Sequence, residues 1–94
     1  MTIVLCSKGY PGNYKKNRLI KNLEKIDFKK NGIIYHAGTS LVNNKIFSSG
    51  GRVLNFTCSG SSYLTIRNKI IKSIKKLNWK NGFFRKDIGW KVIN

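Results

Sequence analysis

Arg52-Val53-Leu54-Asn55-Phe56-Thr57-Cys58, then Ser59-Gly60-Ser61-Ser62, then Tyr63 to Leu77 reads as a strand, a turn and a helix in one unbroken run. The first seven residues alternate, with Val53 or Leu54 anchoring one face and the following residues the other. The serine-rich turn supplies an N-cap, because a serine oxygen accepts from the open backbone N–H groups of a first helical turn. Wound at 100° per residue, Ile66, Leu77, Ile70, Tyr63, Ile74, Ile71 and Leu64 cover one arc, and Lys69, Lys72, Lys75 and Lys76 lie on the other. One face packs on a sheet; the other is wet. Arg67 falls inside the apolar arc, so it must snorkel or find a partner. A basic amphipathic helix also suits membranes or calmodulin-like partners, but in a chain with three acids any exposed face looks basic.

The rest of the chain supplies strands for that helix to cover. Thr2-Ile3-Val4-Leu5-Cys6 is a short β-branched run that suits a strand buried on both faces. It starts almost at the first residue, which is natural for a piece of a larger protein. Ser7 to Tyr14 gathers Gly9, Pro11, Gly12 and two tyrosines into a shaped loop. It lacks the spacing of either glycine-rich phosphate motif. Lys15 to Lys30 is irregular; Leu19, Leu23 and Ile26 have the spacing of a short turn or helix. Gly32 releases a second strand, Ile33-Ile34-Tyr35-His36-Ala37, which ends at Gly38-Thr39. Asn43-Asn44 joins Leu41-Val42 to Lys45-Ile46-Phe47-Ser48 as a hairpin whose two central residues tolerate positive φ. Ser49-Gly50-Gly51 turns the chain into the strand at Arg52. The expected class is α+β, a small antiparallel sheet packed against one amphipathic helix.

The 94 residues carry 19 Lys and Arg against three acids, a formal charge of +16. Such a balance ordinarily points to nucleic acid or an anionic surface. Here 15 of the cations are Lys and only 4 are Arg, beside 12 Ile and 11 Asn. Lys, Ile and Asn share A/T-rich codons, so the excess reads as compositional drift on a solvated surface. Phosphate recognition favours the planar arginine fork instead. Non-specific nucleic-acid binding stays as the alternative function. No apolar run has the length of a membrane span, and the N-terminus lacks a signal-peptide pattern. Cys6 and Cys58 have no metal-ligand spacing, and the expected location is a reducing cytoplasm.

Few residues stand out chemically. Asp87, one of three acids, follows Arg85 and Lys86 and precedes Ile88-Gly89-Trp90. It fits either a turn closed by its carboxylate or a site facing a ligand or neighbouring domain. Arg52, directly after two glycines, suits a planar carboxylate or phosphate partner, or an ion pair with Asp87. His36, the only histidine, sits at a strand end, where a structural side chain is the simpler reading.

Four stretches together resemble the C-terminal domain of the phosphoribosylamine–glycine ligase family, also called glycinamide ribonucleotide synthetase. They are Gly9-Tyr10-Pro11-Gly12 with Tyr14, His36-Ala37-Gly38-Thr39, Ser49-Gly50-Gly51-Arg52-Val53-Leu54, and Arg85-Lys86-Asp87-Ile88-Gly89-Trp90. The likeness runs from about Ile3 to Ile93. It implies an ATP-grasp enzyme of purine synthesis that joins glycine to 5-phosphoribosylamine through an acyl phosphate. It also implies that residues 1–94 form the small half-barrel domain, a rudimentary hybrid motif, that closes over the grasp. By position, Gly50, Gly51, Arg52, Arg85, Asp87 and His36 become candidates for substrate binding or the domain junction, with no catalytic or metal-ligating residue among them. ATP and Mg²⁺ or Mn²⁺ would belong to the N-terminal and ATP-grasp portion, the partner this chain lacks, so the chain alone is expected to be inactive. Two departures stand out: Lys91 replaces an arginine usual after the aromatic, and Arg67 stands where a neutral residue is common.

Overall fold

The computed structural model describes residues 1–28 and 31–86. Strands β1 (Thr2–Ser7), β2 (Leu19–Ile20), β3 (Gly32–His36), β4 (Thr39–Val42), β5 (Lys45–Ser48), β6 (Arg52–Cys58) and β7 (Gly82–Phe83) accompany one helix, α1 (Tyr63–Leu77). They form two antiparallel sheets rather than one, of order β3-β6-β1-β7 and β2-β5-β4. The α+β class read from the sequence holds; the division into two sheets arises at Ala37-Gly38. Both of those N–H groups donate to the Val53 carbonyl, at 3.0 and 3.1 Å, while the Gly38 carbonyl accepts from Ser49 N–H at 2.8 Å. A Cβ on Gly38 would stand 2.4 Å from the Arg52 carbonyl oxygen, so only glycine lets the backbones cross this closely. The chain leaves β6 there and begins pairing with β5.

Helix α1 runs over the residues its periodicity predicts. Ser62 Oγ accepts from Thr65 N–H, Asn78 closes the last turn at φ 52°, and the Asn22 amide donates to the Leu77 carbonyl at 3.2 Å. Ile66, Ile70, Ile74 and Leu77 are buried in one core with Ile3, Leu5, Leu54 and Phe56. Each such side chain contributes about 1.5–3 kcal/mol on leaving water. Tyr63 and Leu64, expected in the same arc, are more than half exposed because burial begins only at Ile66. Arg67 finds its partner by donating from Nη2 to the Lys86 carbonyl. That bond ties the helix to the start of the terminal motif.

Between β1 and β6 the register runs Leu5 to Leu54 but Cys6 to Arg52, an irregularity that leaves Val53 over. Val53 and Leu54 are both fully buried as a result. Strand β1 differs from its expected burial on both faces. Ile3, Leu5 and Ser7 point into the core, whereas Val4 and Cys6 are half-buried and Thr2 is exposed. Pairing places Val4 and Cys6 on one face with Ile33, Tyr35 and Phe83, which are 50%, 53% and 36% exposed. The helix covers one side of this sheet, and the other stays half open.

Residues 15–28 contain β2 and, within the stretch whose spacing suits a short turn or helix, a 3₁₀ turn at Leu23–Lys25. Asn17 and Asn22 adopt positive φ at each end of β2, which interrupts helical winding. Pairing of Leu19 with Phe47 and Ile20 with Ile46 fixes the segment to the second sheet. Trp79 Nε1 donates to the Leu19 carbonyl at 3.1 Å and ties it to the end of α1. The Asn43-Asn44 turn has φ of 51° and 63°, as its hairpin requires.

Candidate functional site

Three of the four sequence motifs meet in one cleft of about 400 Å³. Tyr10 forms one wall, Ala37-Gly38 another, and Gly50-Gly51-Arg52 the third, over Val4 and Asn55. The end of β1 holds the glycine pair: buried Ser7 donates from its N–H to the Gly51 carbonyl at 2.7 Å and from Oγ to the Gly50 carbonyl at 2.9 Å. Each bond of this kind stabilises by about 1 kcal/mol, and both fix carbonyls that would otherwise swing. Tyr10 lies so close that a Cβ on Gly51 would stand 1.9 Å from its ring. Its own position follows from the loop, where Gly9 takes φ 97° and Tyr10 N–H donates to Ser7 O at 3.1 Å. The Tyr10–Pro11 peptide is cis.

Among the described residues Arg52 is the one cation lining this cleft, and its side chain is exposed. It stands opposite Cys6 in the sheet. Burial pushes the Cys6 thiol up from its ordinary value, and the Arg52 charge pulls it back in part. A guanidinium on an open rim between two glycine-lined backbones can take a carboxylate or phosphate bidentately, because no side chain at 50 or 51 obstructs the approach.

The other candidates are distributed around that cleft. Gly50 and Gly51 line it. His36 lies just before the crossing, outside the cleft wall, with its Nδ1 hydrogen-bonded to Thr39 Oγ1 at 2.8 Å. This bond spans the step from β3 to β4. Arg85 lines a smaller apolar hollow of about 140 Å³ with Val4, Cys6, Phe83 and Phe84. Val4 belongs to both hollows, so Arg52 and Arg85 flank the same open face of β1. Asp87, with Ile88-Gly89-Trp90, lies outside the described residues.

Sequence reasoning did not single out Tyr10 as a wall or Asn55 as a polar group in the cleft floor. The signal for Tyr10 was its pairing with glycines: a ring flanked by Gly9 and Gly12 can lie flat on a backbone bare of side chains at Gly51. Among the described residues no three His, Cys, Asp or Glu side chains gather as a metal site needs. Glu24 lies in the 3₁₀ turn, and Asp27 follows it. The described side chains do not compose a divalent-metal site.

A family model described as phosphoribosylglycinamide synthetase, C domain, matches residues 1–91. The chain belongs to that family. The relationship expected from the four motifs therefore holds across nearly the whole chain. Among curated relatives, the phosphoribosylamine–glycine ligase of Brucella melitensis is 38% identical over 93 residues, covering 99% of this chain and 22% of that protein. The chloroplastic phosphoribosylamine–glycine ligase of Arabidopsis thaliana is 40% identical over 95 residues, covering 99% of this chain and 18% of that protein. A crystal structure of phosphoribosylamine–glycine ligase from Thermotoga maritima superposes with a TM-score of 0.70 at 27% identity, over 92% of this chain and 20% of that one. This C domain thus spans about a fifth of the length of the ligases it matches.

Proposed function

We propose that this chain is the closing domain of a phosphoribosylamine–glycine ligase and presents its three-motif cleft to the catalytic junction. The complete enzyme would convert ATP, 5-phosphoribosylamine and glycine to glycinamide ribonucleotide, ADP and phosphate. ATP and Mg²⁺ or Mn²⁺ would be held by the ATP-grasp portion, which the 94 residues here do not include, and the chain alone would not turn over. In this reading Gly50 and Gly51 keep the backbone open, and Arg52 binds a carboxylate or phosphate on the substrate or on the facing domain. Arg85 and Asp87 border the same junction, while His36 holds the β3 to β4 step. The compartment would be the cytoplasm; no described helix is long and apolar enough to cross a membrane.

The observation that carries the proposal is the meeting of stretches around residues 10, 37 and 51 in one cleft, beside a sheet face left half open. A β-branched strand such as β1 has the sequence of a doubly buried element, and a facing domain would complete that burial. Neither the family nor the relatives' names point to nucleic acid. Hydrogen exchange on the chain, with and without the remaining portion of such a ligase, tests the docking. Added protection over Thr2 to Ser7 and Gly32 to His36 is expected. Protection confined to the lysine face of α1 would refute it.

A further inference from the structure

The loop that presents Tyr10 to the first cleft has a second side. There, Lys8, Asn13, Tyr14, Lys15, Arg18 and Asn81 line a separate hollow of about 460 Å³. We infer that this hollow is a binding site for a small phosphate-class oxyanion, gripped by Lys8, Lys15 and Arg18 with the Asn13 and Asn81 amides as neutral donors. Among the described residues, three of its six lining residues are cations and none is acidic, against 19 cations in 94 residues for the whole chain. The hollow near the 3₁₀ turn, by contrast, mixes Lys21, Lys25 and Lys45 with Glu24. Drift toward lysine does not explain Arg18, one of four arginines, which lines the same hollow as Lys8 and Lys15.

The walls are fixed by the backbone. Lys8 N–H donates to the Asn81 carbonyl at 2.9 Å, which joins the start of the loop to the segment after α1. Arg18 is held on both sides of its peptide unit: its N–H donates to Ser48 Oγ at 3.1 Å, and its carbonyl accepts from Ser48 N–H at 2.9 Å. Ser48 is fully buried, so this anchor does not move with the surface. Arg18 is half-buried, and its Nε is shielded from solvent with no hydrogen-bond partner among the described residues. Withdrawing one nitrogen of a cation from water without a partner is unfavourable, and an anion in the hollow offsets that cost through the guanidinium's charge. Lysine ammoniums and an arginine fork converging with amide donors suit oxygens carrying two or more negative charges. A hollow of this size accepts a small ligand.

The test titrates the 94-residue chain with inorganic pyrophosphate and, separately, with glycerol 3-phosphate, followed by amide chemical shifts at near-physiological salt. Saturable shifts at Lys8, Asn13, Tyr14, Lys15, Arg18 and Asn81 are expected. The two arms tell an inorganic source from a phosphate ester: tighter binding of pyrophosphate assigns the former, and tighter binding of glycerol 3-phosphate the latter. Removing two gripping charges in Lys8→Ala/Lys15→Ala should weaken binding about tenfold or more. Lys72→Ala/Lys75→Ala on the helix removes the same charge and should change it less than about twofold. Both double variants alter exposed side chains, so folding is preserved, and Arg18→Leu is a third variant, read only if its spectrum stays dispersed. Equal weakening in the two double variants, or unsaturable shifts spread along α1, would show a diffuse field and overturn the site. Tight RNA binding with no response of these six amides to either anion would overturn it as well.

Discussion

Adjacent glycines in the cleft should respond oppositely to the same added methyl. In Gly51→Ala the new Cβ would lie 1.9 Å from Tyr10 Cδ1, 2.3 Å from Cε1 and 2.8 Å from Cγ. Ordinary carbon contact needs about 3.5 Å or more, so the ring must retreat by roughly 1.5 Å. It cannot do so by swinging its tip, since Cγ is already too close. Overpacking of this kind costs about 1–3 kcal/mol. In Gly50→Ala the nearest atoms, Arg52 O and Gly38 Cα, are both 3.6 Å away, which is ordinary contact. Stiffening the unfolded chain then leaves that variant neutral or stabilised by up to about 1 kcal/mol. The two variants should therefore differ by about 1–4 kcal/mol, or roughly 4–30 °C in midpoint for a domain of this size. Thermal unfolding by circular dichroism reads the gap. On a Tyr10→Ala background the Gly51→Ala penalty should shrink to below about 0.5 kcal/mol. Equal midpoints for the two single variants, or an unchanged penalty without the ring, would refute the packing of Tyr10 on Gly51.

Other expectations follow from the core, the cap and the thiols. Ile70→Ala removes a side chain with no exposed surface and should cost about 2–5 kcal/mol in urea unfolding, against less than about 1 kcal/mol for exposed Leu64→Ala. Ser62→Ala deletes the acceptor for Thr65 N–H and should cost about 0.5–1 kcal/mol, most of it restored by Asp at that position. Burial raises both Cys6 and Cys58 above the usual thiol value. The folded state thus holds these protons more tightly than the unfolded one. Stability from this source is complete below the unfolded thiol's pKa and is lost as pH rises through the folded values. Arg52→Ala removes the charge that lowers Cys6, so alkylation of Cys6 at fixed pH should slow while that of Cys58 stays unchanged.

The elements with strong local signals were legible in the sequence. Periodicity placed α1 from Tyr63 to Leu77, and Asn43-Asn44 announced the β4–β5 hairpin. What failed depended on contacts far along the chain. The break into two sheets rests on Gly38 meeting Arg52 and Gly50, which no local pattern encodes. The short β2 strand exists because β5 pairs with it; the spacing of Leu19, Leu23 and Ile26 suggested a short turn or helix, which formed only at Leu23–Lys25. For the cleft, glycines and Arg52 were visible as motifs, and their meeting with Tyr10 required the fold. The basic hollow on the other side of the loop escaped because lysine is common everywhere in this chain. Only the placement of Arg18 and two asparagines separates it from the background.

Reconstitution of activity tests the central proposal most directly. The 94-residue chain would be mixed with the remaining portion of a phosphoribosylamine–glycine ligase, and glycinamide ribonucleotide formation followed with ATP, 5-phosphoribosylamine and glycine. The expected result is product only when both parts are present, saturable in the added chain, and reduced at least about tenfold by Arg52→Ala in a variant that still folds. Product formation at the same rate without the chain, or unaltered by Arg52→Ala and Gly51→Ala alike, would contradict the assignment of this cleft to the catalytic junction.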